Sequence, residues 1–85
     1  MIERGLSDLI DSMLFTIENM DVGDNCIFDS QGIPIMVKRI AKYQLLVHIG
    51  SEYQIMFVCN KVEKGANSSV KFMDYTGTCI VSACL

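Results

Sequence analysis

Apolar residues recur ten positions apart along the middle of the chain: Ile35, Leu45 and Ile55, then Met36, Leu46 and Met56, then Val37, Val47 and Phe57. Successive side chains of a strand point to opposite faces, so this recurrence predicts a three-strand meander that is apolar on both sides. Ahead of it, Leu6, Leu9, Ile10, Met13, Leu14, Ile17 and Met20 keep the spacing of one helical face. They predict an amphipathic helix over about 6–21, with Ser7 as its N-cap, or Met1 to Gly5 adding a turn before it, and Gly23 as its stop. The opposite helix face holds Asp8, Asp11, Phe15 and Glu18, a large aromatic among carboxylates.

Beyond Gly23 the period falls to two, and strands are predicted over 25–28, 33–40, 44–49, 53–61, 69–73 and 78–85. Asp29-Ser30-Gln31-Gly32 and Asp74-Tyr75-Thr76-Gly77 both read as type I turns with glycine in the left-handed position. Pro34 marks an edge strand or a strand start. Residues 62–68 form the longest flexible stretch.

Directly paired residues share a face, so parity restricts the register. A loop at 41–43 pairs Val37 with Val47 and Met36 with His48. A three-residue loop at 50–52 pairs Val47 with Ile55 and Leu46 with Met56. One face then carries Ile33, Ile35, Val37, Leu45, Val47, Ile49, Ile55, Phe57 and Cys59, and is assigned to the helix. The other carries Met36, Lys38, Ile40, Gln44, Leu46, His48, Gln54, Met56, Val58 and Asn60. Its apolar centre and polar rim have the anatomy of an interface, with a strongly curled sheet that closes on itself, or a cover formed by the C-terminal strands, as the alternative. The expected architecture is α+β over a single domain, residues 1–85: an N-terminal amphipathic helix packed on a curved antiparallel sheet of five or six strands. A small barrel with an appended helix is the alternative.

Composition narrows the class. Hydrophobic residues are 51% and charged residues 20% of 85, enough for one core and against disorder. The net charge of −3 is unevenly spread: residues 1–29 hold seven acids against Arg4, whereas 30–85 hold six bases against Glu52, Glu63 and Asp74. No apolar run reaches the roughly 18 residues of a membrane span, and the acidic N-terminus is unlike a secretion signal. A cytoplasmic protein without a membrane partner is expected.

Chemistry finds few footholds. Cys26, Cys59, Cys79 and Cys84 contain no C-x-x-C pair, so buried thiols are expected rather than a metal site or disulfide. His48 is the single imidazole, flanked by Met36 and Gln54 in the proposed register, with no carboxylate beside it. No nucleophile motif or phosphate-binding glycine loop occurs, so neither catalysis nor a cofactor is expected. Asp8 with Asp11, and Asp21 near Asp24, read as solvated acids. Nucleic-acid binding is disfavoured: six of the bases lie in the sheet portion, but the net charge is negative and Tyr43 and Tyr53 have core-face parity.

The expected function is therefore a small non-catalytic regulator or inhibitor that binds a larger protein, of the kind viruses and mobile elements encode. Its contacts are placed at Met36, Lys38, Leu46, His48, Met56 and Val58, with Asp8, Asp11, Phe15 and Glu18 as a second anchor. The partner is a protein, as a homodimer or a stable heterocomplex. A small-molecule or nucleotide-binding module and a single-stranded nucleic-acid-binding protein are the alternatives.

Overall fold

Helix α1 spans Ile2–Glu18 in the computed structural model, which describes residues 2–50 and 55–84, the side chains of 2–8 aside. It begins earlier and ends earlier than the spacing predicts, so Ser7 lies inside it and is not its cap. An i+3 bond from Met20 N to the Ile17 carbonyl (3.3 Å) tightens the last turn. The Arg39 guanidinium then takes the same carbonyl from the side, Nη2 to O at 2.8 Å, where a cation also meets the negative end of the helix dipole. Gly23 is not the helix stop. Its φ of 99° serves a turn at 21–24, and its N–H bonds the Arg39 carbonyl at 2.8 Å.

Among the described residues seven strands follow, β1 (Asn25–Ser30), β2 (Ile33–Ala41), β3 (Gln44–Ile49), β4 (Ile55–Cys59), β5 (Lys61–Lys64), β6 (Ser69–Met73) and β7 (Cys79–Cys84). They form two antiparallel sheets, β1-β2-β3-β4 and β5-β6-β7, in place of one sheet of five or six strands. The single strand expected over 53–61 is two strands that part at Asn60; its residues 53 and 54 lie outside the described ones. Asn60 N bonds the Met73 carbonyl of the second sheet at 2.8 Å. Cys59 and Val62 are both buried although their parities differ, so the bend at Asn60 re-aims the chain and carries it into the second sheet. Residues 62–64, expected to be flexible, belong to β5: its sequence Lys-Val-Glu-Lys offers one apolar side chain, too few to read as a strand.

The turns explain the register. Gln31 and Gly32 have φ of 52° and 87°, the two positive values of a type I′ hairpin, and Ser30 pairs with Ile33. The type I reading of that turn is thereby corrected. The 74–77 turn does follow its expectation, with Gly77 at φ 86°. Between β2 and β3 the turn is Lys42-Tyr43, and a bulge between Arg39 and Ala41 restores Val37↔Val47 and Met36↔His48, as parity requires. Between β3 and β4 the pairing is Val47↔Phe57 and His48↔Met56, two residues from the expected register. A shift of two leaves every side chain on its face. Pro34 opens β2, a central strand, so it marks a strand start and not an edge.

The core lies between the inner face of the first sheet, the helix and the second sheet. Ile10, Met13 and Ile17 of α1 meet Ile35, Val37, Leu45, Val47 and Cys59 below and Val62, Val70 and Phe72 of the second sheet. Each fully buried side chain of this kind contributes about 1.5–3 kcal/mol. Phe57 and Phe72 join the sheets edge to face, with centroids 5.7 Å apart. The Ser30 hydroxyl donates to the Cys84 carbonyl, so the outer strands β1 and β7 touch as well. Ile33 and Ile55, expected in the core, are exposed because they sit at the end of the sheet, past the core cluster. Leu9 is likewise exposed, on the flank of the helix.

Candidate docking surface

Among the described residues, nothing packs over the outer face of the first sheet. Its residues stand in rows that cross all four strands. One row reads Ile27, Met36, His48, Met56, and the next reads Asn25, Lys38, Leu46, Val58. Ile27 and Met56, at the two edges, are 68% and 61% exposed. Val58 and Ile40 are exposed too, while Met36, Leu46 and His48 in the middle are half-buried by their neighbours. Lys38 is exposed on one side of the apolar rows, and Asp29 is exposed one row beyond Ile27 on the other. Of the residues named from the sequence for this face, Met36, Lys38, Leu46, His48, Met56 and Val58 stand in these two rows, whereas Asn60 lies at the bend into the second sheet.

Ile27 was missed. Its number is odd, but the two-residue Gln31-Gly32 turn pairs residues whose numbers sum to an odd total, so odd positions of β1 join even positions of β2. Reading Gln-Gly as the centre of a two-residue turn would have placed it. His48 pairs with Met36 and Met56, not with Gln54, which lies outside the described residues. Its Nε2 is buried and has no hydrogen-bond partner among the described residues.

The outward side of α1 is a second, separate surface. Phe15 is 68% exposed between Asp11 and Glu18, both exposed. Asp11 is 3.5 Å from Lys64 Nζ of β5, a pairing between exposed groups that contributes little to stability. The side chain of Asp8 lies outside the described ones. At the end of this helix a cavity of about 490 Å³ is lined by Glu18, Met20, Asp21, Val22, Arg39, Lys42 and Tyr43. Tyr43 is exposed there, not on the core face, because the bulge and turn carry it off the sheet; Lys42 Nζ lies 5.3 Å from its ring centre. Tyr53 lies outside the described residues.

The thiols divide. Cys59 is buried as expected, and burial pushes it up to about 11, against a smaller opposing pull from Arg39. Cys26 is half-buried, and desolvation raises it as well. Cys79 and Cys84 are exposed, contrary to the expectation of burial, because they lie at the ends of the outer strand β7. Among the described residues no group of three or more His, Cys, Asp or Glu is placed to hold a metal ion. No described helix is long and apolar enough to cross a membrane. Compared with known families, curated proteins and solved structures, the chain matches no family model, no curated protein and no solved structure.

Proposed function

We propose that this chain is a small non-catalytic regulator or inhibitor of a larger protein, working through its open sheet face and the Phe15-centred helix face. The observation that carries this reading is the open face. An antiparallel sheet with one side in water normally alternates apolar-in with polar-out. Here Ile27, Met36, Leu46, Met56 and Val58 point outward together, and none of them belongs to the core cluster. Met36 and Met56 suit such a surface, since flexible thioether side chains repack against a partner. The helix face is aromatic at its centre and acidic at its rim, which favours a target with a basic border. The four unpaired thiols suit the reducing cytoplasm in which the reading sets it.

Capture of a larger protein by the wild type, and its loss with a Phe15→Ala/Asp11→Asn double variant or with Met56→Asp, is the expected result. Equal capture by all three chains contradicts the reading. The cavity at the helix end favours a second reading, a small-molecule site, since its size falls within the roughly 300–1,000 Å³ of ligand pockets. A ligand there raises the melting temperature by linkage, with no partner protein present. Exposed Tyr43 beside Lys42 keeps single-stranded nucleic acid as a third reading, which requires affinity that falls steeply with salt.

A further inference from the structure

We propose that the cavity at the end of α1 takes a small zwitterion with an apolar or aromatic body, the chemistry of a free α-amino acid such as L-phenylalanine. This rests on the small-molecule reading of that cavity given above and names the class of its ligand.

The two walls of the cavity carry opposite charge. The end of α1 and the turn after it supply Glu18 and Asp21, while the end of β2 and the turn into β3 supply Arg39 and Lys42. No acid of one wall pairs with a base of the other. The ion pairs among the described residues are Lys61 with Glu63 and Lys64 with Asp11, so both signs stay unanswered around one cavity. Arg39 makes this more than a patch of solvated charges. It is 8% exposed, and its Nη1 and Nη2 are committed to the Lys42 and Ile17 carbonyls at 3.1 and 2.8 Å. Its Nε is buried with no hydrogen-bond partner among the described residues. A buried guanidinium that meets no carboxylate is costly, and an anionic group in the cavity that Arg39 lines supplies the missing counter-charge.

An anion alone would face Glu18 and Asp21 across the same space. A ligand that also carries an ammonium turns that repulsion into attraction. Glu18 is the last residue of α1, where the negative end of the helix dipole adds to the pull on a cation. The rest of the lining is apolar or aromatic: Met20 and Val22 on the acidic wall, and the Tyr43 ring on the basic one. Lys42 Nζ lies 5.3 Å from the centre of that ring, so a carboxylate held by Lys42 sets the body of its molecule beside Tyr43.

Titration with L-phenylalanine up to about 10 mM, followed by calorimetry and by the backbone amide resonances of Val22 and Tyr43, tests this. The comparison probes are 3-phenylpropionate, which lacks the ammonium, and 2-phenylethylamine, which lacks the carboxylate. L-Phenylalanine should move both resonances and bind at least about tenfold more tightly than either probe, the worth of one charge-assisted hydrogen bond. Lys42→Gln should weaken L-phenylalanine about tenfold and leave 2-phenylethylamine unchanged. The Glu18→Gln/Asp21→Asn double variant should weaken L-phenylalanine as much and leave 3-phenylpropionate no weaker. All three side chains are exposed, and Arg39 holds Lys42 by its backbone carbonyl, so the variants keep the fold. A single-charge probe that binds as tightly as L-phenylalanine overturns the zwitterion and leaves the small-molecule reading standing. L-Phenylalanine binding that both variants leave unchanged also overturns the proposal. If none of the three probes binds, the proposal falls and the small-molecule reading falls with it.

Discussion

The same four strands build two faces that differ in what holds them. On the inner face, Ile35, Val37, Leu45, Val47 and Cys59 are buried against the helix and the second sheet. On the outer face, one residue along, Met36, Leu46, Met56 and Val58 are almost as apolar and have nothing over them among the described residues. Hydrophobicity alone does not separate a core from a docking surface. What separates them here is the chain's own covering layer: one helix and three further strands, all committed to one side.

The difference is sharpest in stability. Leu45→Ala or Phe72→Ala removes a fully buried side chain and should cost about 2–5 kcal/mol in urea unfolding. Met56→Ala, on the other face, should cost under about 1 kcal/mol when measured on dilute protein. Similar losses on both faces would break the distinction.

Arg39 is the polar part of the inner side and ranks next. It is 8% exposed, donates to the carbonyls of Ile17 (2.8 Å) and Lys42 (3.1 Å), and pairs with no carboxylate among the described residues. Arg39→Met strands both carbonyls and should cost about 2–3 kcal/mol. Lysine, which lacks the planar fork, should recover little of it. Full recovery by Arg39→Lys would mean that charge, not the two-carbonyl clamp, is what the helix end requires.

Cys59 adds a pH dependence to the inner face alone. Its thiol is held up at about 11 by burial, above its unfolded value near 9, so the folded state keeps a proton that the unfolded state releases. The associated stability is complete below about pH 9 and is lost as pH rises toward 11. Cys26 adds a contribution of the same sign. Cys59→Ala should flatten most of this slope in unfolding midpoints taken across pH 8–11; an unchanged slope would show that the thiol is not buried.

The smallest effect concerns the turn at Asp74, away from both faces. Thr76 Oγ1 and the N–H groups of Thr76 and Thr78 donate to its carboxylate, and these bonds hold it below the usual carboxylate range. The contribution is present above the ordinary aspartate value and lost as pH falls through the lowered one. Asp74→Asn should lower Tm slightly at neutral pH and not at strongly acidic pH.

Parity made the two faces readable from sequence. It survived a two-residue error in the β3–β4 register because an even shift keeps every side chain on its side. The helix, most strand positions and the outer-face residues Met36, Lys38, Leu46, His48, Met56 and Val58 followed from spacing alone. What spacing could not reach were the breaks in it. The bend at Asn60 turns one expected strand into two sheets, and the Gln31-Gly32 turn moves Ile27 onto the outer face. Arg39 was hidden because a base within an apolar strand reads as solvated until the helix end that it caps is placed beside it.

The contrast between the two faces is tested most directly by unfolding wild type, Met56→Asp and Val47→Asp in urea on dilute protein, about 1 μM. A charge on the outer face should leave the midpoint close to the wild-type value, whereas a charge at the buried Val47 should abolish cooperative folding. A Met56→Asp midpoint far below the wild-type value would contradict the account, because it would make the outer face part of the core.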